Sequence, residues 1–134
     1  MVYIAMKIAA AVLLFASVAS ANNNSEEARW LVQTSLWGTL SWMEGGSVSS
    51  MVASYGESGG RIFYYLPVNM EFRGALTLSE AAVDSTQFDG ARCGPDGNLD
   101  PEDPRCAKLT LSGTMTPVDE DTKQFGLDTL FATH

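Results

Sequence analysis

WGTLSWMEGGSVSSMVASYGESGGRIFYYL, from Trp37 to Leu66, is the stretch on which the fold turns. Trp37 to Met43 is rich in strand formers and ends at Glu44-Gly45-Gly46-Ser47, a tight turn in which glycine tolerates the positive φ of a hairpin. Val48 to Tyr55 is the returning strand, and Gly56-Glu57-Ser58-Gly59-Gly60 is a second turn. Arg61-Ile62-Phe63-Tyr64-Tyr65-Leu66 follows, apolar on both faces, as a central strand covered on both sides reads. Three strands joined by two glycine turns make an antiparallel meander.

The same device recurs downstream. Pro67 ends the third strand. Ala75 to Glu80 alternates, with Leu76 and Leu78 on one face and Thr77 and Ser79 on the other. Lys108 to Thr116 alternates too, with Leu109, Leu111 and Met115 opposite Thr110, Ser112, Thr114 and Thr116. The connection between them, residues 84–105, is long, and connections of that length are uncommon unless pinned or functional. Upstream, Ser25-Glu26-Glu27 reads as a capped helix start, and Ala28, Leu31, Val32 and Ser35 share one helical face, which predicts a helix over 26–35. Downstream, Pro117 to Asp121 begins a second helix over 120–131, with Phe125 and Leu130 facing inward and Gly126 as a weak point. Five strands with a helix at each end make a mainly β, α+β domain with one open barrel edge.

The first residues fall outside that domain. Met1 to Lys7 carries one basic side chain, Ile8 to Val18 is almost wholly apolar, and Ala19-Ser20-Ala21 offers the small-x-small pattern of a cleavage site. The apolar run is shorter than the about 20 residues a bilayer span needs. A signal peptide over 1–21 is therefore favoured over a short anchor or a buried helix, with a mature domain over 22–134. The leader holds Lys7 and no acidic side chain, so the mature chain has 7 basic and 16 acidic residues, a formal −9 against −8 for the whole. Such a surface repels phosphate backbones and speaks against nucleic acid as a partner. Nothing after the leader is apolar enough for membrane insertion. Cys93 and Cys106 form an even pair in a secreted chain and favour a disulfide. The rival is a metal site, for which His134 is the only imidazole. Asn23-Asn24-Ser25 is a glycosylation acceptor at Asn23.

Catalytic signals are sparse. A serine nucleophile needs a base within reach, and the one histidine is the last residue. The acidic clusters Asp100, Glu102, Asp103 and Asp119, Glu120, Asp121 sit beside prolines and read as turns and a helix start. Asp96-Gly97-Asn98-Leu99-Asp100 resembles a calcium loop, but Pro101 stands where the turn glycine belongs and Ala107 where the bidentate glutamate belongs.

Several segments together resemble the CREG family of secreted glycoproteins, within the FMN-binding, pyridoxamine-phosphate-oxidase-like split-barrel superfamily. They are Ala28-Arg29-Trp30-Leu31-Val32 entering Trp37-Gly38-Thr39-Leu40, the strand Ile62 to Leu66, and Asp100-Pro101-Glu102-Asp103-Pro104-Arg105-Cys106-Ala107-Lys108 running into Leu109-Thr110-Leu111-Ser112-Gly113-Thr114. Leu130-Phe131-Ala132-Thr133-His134 is similar to the start of the family's Leu-Phe-x-x-His-Pro segment. The resemblance implies a split β-barrel of antiparallel strands with flanking helices, here lacking its final strand. It also implies a homodimer, residence outside the cell or in the endosomal–lysosomal lumen, and action through a protein receptor or partner.

Two functions from different classes follow. One is a non-enzymatic secreted glycoprotein with no cofactor. The other is an FMN-dependent oxidoreductase or flavin carrier. A flavin phosphate carries nearly two negative charges, and sites answer it with cations, hydroxyls or clustered amides. Oxidase relatives place basic residues on the second strand and just after the third. Here Val48 to Tyr55 has none, and Arg73 is the one candidate after the third strand. The segment Pro67 to Gly74 is also short where relatives carry a longer loop and helix. Binding is the favoured reading.

Overall fold

The computed structural model describes residues 2–7, 21–67, 71–84, 92–94 and 97–134. The elements in chain order are β1 (Val2–Lys7), α1 (Ala21–Thr34), β2 (Trp37–Glu44), β3 (Ser47–Ser58), β4 (Arg61–Leu66), β5 (Phe72–Ser79), a 3-10 turn (Glu80–Ala82), β6 (Lys108–Pro117) and α2 (Glu120–Thr133). All strand pairs are antiparallel, in the order β1-β4-β3-β2-β5-β6, and β1 also pairs β6.

The meander forms as its sequence predicts. Both hairpin turns put two glycines at positive φ, 58° and 83° at Gly45 and Gly46, and 60° and 77° at Gly59 and Gly60. These are the turns whose twist matches paired strands. Alternation then sorts the side chains. Leu40 of β2, Tyr55 of β3, Ile62, Tyr64 and Leu66 of β4, Leu76 and Leu78 of β5, and Met115 of β6 fill the core, joined by Leu31 of α1. Full burial of each such side chain contributes about 1.5–3 kcal/mol before entropy is subtracted. Phe63 points to the opposite face of β4 and is buried edge-on against Phe125 of α2, with ring centroids 5.6 Å apart. The central strand is thus covered on both faces over Ile62–Tyr64, while Tyr65 is exposed.

β3 is longer than the sequence pattern predicts, because Gly56-Glu57-Ser58 continues the strand and only Gly59-Gly60 turns. Gly56 is there for a different reason. A side chain at Gly56 would meet the Thr129 carbonyl at 2.8 Å and the Leu130 backbone at 3.0 Å, so its bareness lets α2 lie directly on the sheet. Gly126 does the same from the helix side, where a Cβ would stand 2.9 Å from the Phe63 ring. The glycine read as a weakness of α2 is the contact that seats it. Phe125 remains 45 % exposed, whereas Leu130 is buried as expected. α1 begins at Ala21, one turn before the expected start, so Ser25 lies within the helix instead of capping it. Tyr55 Oη donates to the Val32 carbonyl at 2.7 Å and ties α1 to the barrel. Burial pushes both the Tyr55 and Tyr64 phenols up from their ordinary pKa.

The five strands β2 to β6 curl into a split barrel short of one strand, as expected. Its open side is not bare. Val2–Lys7, which the sequence reading leaves outside the fold, lies between β4 and β6 and pairs with both. The physical reason is edge pairing: two facing rows of unpaired backbone groups are satisfied by any strand-forming segment in reach. Residues 8–20, where the sequence reading expects the apolar run and cleavage site of a signal peptide, lie outside the described residues.

Candidate functional site

Arg73 leads to the first candidate. It stands on β5 opposite Thr114 of β6, with its side chain exposed. Its neighbour Gly74 pairs with Trp42 on one side and Gly113 on the other, so its backbone is committed to the sheet. A Cβ at Gly74 would approach the Ser41 carbonyl to 2.6 Å, so the sheet floor is bare there. Trp42 stands beside it and packs on Phe72, with ring centroids 5.7 Å apart and planes inclined by 51°. The result is an open cleft of about 570 Å³, lined by Trp42, Met43, Val48, Arg73, Ser112 and Thr114 among others. Its chemistry is one guanidinium, a few hydroxyls and an apolar aromatic side. None of the ion pairs among the described residues involves Arg73.

This cleft is a poor match for a flavin phosphate. A dianion held near a chain of net charge −8 needs several convergent donors, and the cleft offers one exposed cation with its glycine backbone tied into strand pairing. β3 contributes only Val48 to it, and no residue of β3 is basic.

A second hollow, of about 590 Å³, lies between α2 and strands β3 and β4. Val52, Tyr65, Leu127 and Phe131 give it an apolar character, with Val52 and Phe131 strongly exposed. His134 also lines it. It is exposed, yet its Nε2 lies 3.1 Å from the Tyr55 carbonyl, so the residue expected to be a solvated chain end rests on the barrel.

Cys93 and Cys106 are joined by a disulfide, with Cα atoms 5.9 Å apart and both residues buried. The carboxylate that organises this loop was not singled out by sequence reasoning. Glu80 is 1 % exposed, and its Oε1 accepts from the Arg92 backbone N–H at 2.6 Å while its Oε2 accepts from the Ala107 N–H at 3.0 Å. The Glu80 N–H in turn donates to the Ala107 carbonyl at 2.9 Å. Arg92 and Ala107 are the chain neighbours of Cys93 and Cys106, so carboxylate and disulfide clamp the same two points. Arg92 Nε stands 3.6 Å from Glu80 Oε1 and offsets its charge. A signal existed: Leu76 and Leu78 face inward on β5, and Glu80, the next position in that alternation and the first residue of the 3-10 turn, is buried as they are.

The acidic clusters do structural work. Asp100 Oδ1 accepts from the Glu102 N–H at 2.8 Å. Asp103 takes a two-pronged contact from the Arg105 guanidinium at 2.9 and 2.8 Å. Those hydrogen bonds hold the Asp103 carboxyl down at a pKa of about 2, so any stabilisation it lends is present above the ordinary carboxylate range and is lost as pH falls through about 2. Asp119 caps α2 by accepting from the Thr122 N–H at 2.8 Å. Asn23 lies in the first turn of α1, and Asp96 lies outside the described residues. The structure thus joins the two cysteines and gives Arg73 a cleft, and it places Asn23 on a different element from both.

A family model described as "CREG, beta-barrel" matches residues 19–134 of this chain. No curated protein and no solved structure matches it.

Proposed function

The chain belongs to the CREG β-barrel family, and from that premise we propose that it is a secreted glycoprotein that acts by binding a protein partner, without chemistry of its own. The family domain fits the split-barrel, flavin-binding-like fold, and the question is whether this barrel uses a flavin. The observation that carries the proposal is the cleft at Arg73, with one exposed guanidinium against a cofactor phosphate that calls for several donors. The buried Cys93–Cys106 disulfide supports an oxidising compartment, outside the cell or in the endosomal–lysosomal lumen. Among the described residues, no helix is long and apolar enough to cross a membrane. Asn23, beside the cleavage site after Ala21, is the glycan acceptor in this reading.

One preparation tests it. The full sequence is expressed in a secretory cell line, and the protein collected from the medium is titrated with FMN by fluorescence quenching. The expected result is a product beginning at Asn22, a glycan mass lost in Asn23→Gln, and no saturable FMN binding below about 100 μM, a range in which a functional cofactor site would already be filled. Saturable micromolar binding that Arg73→Ala weakens would overturn the proposal and restore the flavin-dependent alternative.

A further inference from the structure

The cleft at Arg73 draws on the outer face of the sheet. Leu40 of β2 and Leu76 of β5 fill the core, so their chain neighbours Thr39, Ser41, Ala75 and Thr77 point away from it. Pairing carries that face onto β6, with Ser112 opposite Ala75 and Thr110 opposite Thr77. The hydroxyls of Thr77 and Thr110 stand 3.2 Å apart, as same-face neighbours do. The row beyond Ala75 and Ser112 holds Arg73 and Thr114. Neighbouring strands lie about 4.8 Å apart and same-face residues of one strand about 6.7 Å apart. The Ser41, Ser112 and Thr114 hydroxyls and the Arg73 guanidinium therefore lie within reach of one small molecule.

Charge sets this cleft apart from the rest of the chain. The sequence has 16 acidic and 8 basic residues, yet the lining holds one guanidinium and no carboxylate. Glu44 and Glu71, the nearest carboxylates in sequence, do not line the cleft, and among the described residues neither forms an ion pair with Arg73. Met43 and Val48 add apolar surface and are 61 % and 72 % exposed. The volume of about 570 Å³ is that of a small-molecule site.

We propose that this cleft binds a sugar acid, a saccharide unit with one carboxylate. A planar guanidinium grips one carboxylate through two parallel hydrogen bonds, and one cation answers one negative charge. Serine and threonine hydroxyls both donate and accept, so they pair with sugar hydroxyls in either sense. The C–H face of the ring covers Met43 and Val48. Other anions fit less well. A phosphate dianion calls for more donors than the cleft has, and an alkyl chain would strip water from the hydroxyls without replacing their hydrogen bonds. The proposal goes beyond the protein-partner reading and does not depend on it.

The test uses the secreted protein from the preparation above, titrated with glucuronic acid and with N-acetylneuraminic acid while the amide resonances of β5 and β6 are followed. The expected result is saturable binding of at least one of the two at about 1 mM or tighter, with shifts centred on Arg73–Ala75 and Ser112–Thr114. Which of the two binds more tightly identifies the kind of sugar acid. Glucose, which lacks the carboxylate, should bind at least 10-fold more weakly, and so should octanoate, which lacks the hydroxyls. Arg73→Gln should weaken the sugar acid at least 10-fold and leave glucose within twofold, and Arg73→Lys should recover part of the loss. Ser112→Ala should weaken sugar acid and glucose alike and leave octanoate unchanged. Both substituted side chains are exposed, and an unchanged near-ultraviolet dichroism checks that the variants are folded. Binding of neither sugar acid, shifts elsewhere on the barrel, or octanoate or inorganic phosphate binding as tightly as the sugar acid overturns the proposal.

Discussion

Glu80→Ala is expected to destabilise the domain by on the order of 3–5 kcal/mol. The carboxylate is buried and holds the backbone N–H groups of Arg92 and Ala107. Truncation leaves both donors without an acceptor, and each orphaned buried donor costs about 1–3 kcal/mol. The Arg92 guanidinium also loses the charge it faces, but it is 56 % exposed and water replaces that contact cheaply. Glu80→Gln should recover part of the loss. Its amide oxygen still accepts one hydrogen bond, while its NH2 meets the other N–H donor and repels it. Chemical denaturation of the three proteins checks this order. A loss below about 1 kcal/mol for Glu80→Ala would mean that water satisfies the two amides and that the carboxylate holds nothing.

The legible part of this molecule is the part written in period-two alternation and paired glycines. β2 to β6 could be placed because Leu76 and Leu78, or Ile62 and Tyr64, are apolar where the pleat turns inward. The membership of Val2–Lys7 in the barrel was not legible, because the same residues carry the charge and order of a leader. Nothing local reports that two facing edges lie within their reach; that is a property of closure, settled only once the other five strands are in place. Gly56 and Gly126 were misread for a related cause. A glycine tells of a turn or a weak helix when judged by its own backbone, and of a close approach only when the partner is known, here α2 on β3 and Phe63 on α2. Of the candidate site residues, the cysteine pair was readable from its even count and the expected oxidising route. Arg73 was readable as a lone cation, but Trp42, which lines the same cleft, is brought there by the pairing of β2 with β5, strands distant in sequence.

Replacing Cys93 and Cys106 together by alanine is expected to cost about 3 kcal/mol, the chain-entropy value for a closed loop of this size. The more informative result is how that loss combines with Glu80→Ala. Bonds from Glu80 to Arg92 and Ala107 bring together the same two chain points that the disulfide already joins one residue away. With the disulfide intact, the loop-closure entropy is removed from the unfolded state as well, and the carboxylate needs only to orient two amides. Without it, those two hydrogen bonds must also offset closing the segment between residues 92 and 107, so their net contribution shrinks. Once both clamps are gone, the loop can leave the barrel by local opening, which sets a floor on any further loss. Both effects act in one direction: the triple variant should lose at least about 1 kcal/mol less than the two separate losses added together. Amide exchange at Leu99 and Ala107 locates the effect, since the Leu99 N–H donates to the Arg92 carbonyl at 3.0 Å and the Ala107 N–H to Glu80. Strict additivity in the denaturation cycle would show that the two clamps stabilise separate parts of the domain, contrary to the geometry that places them side by side.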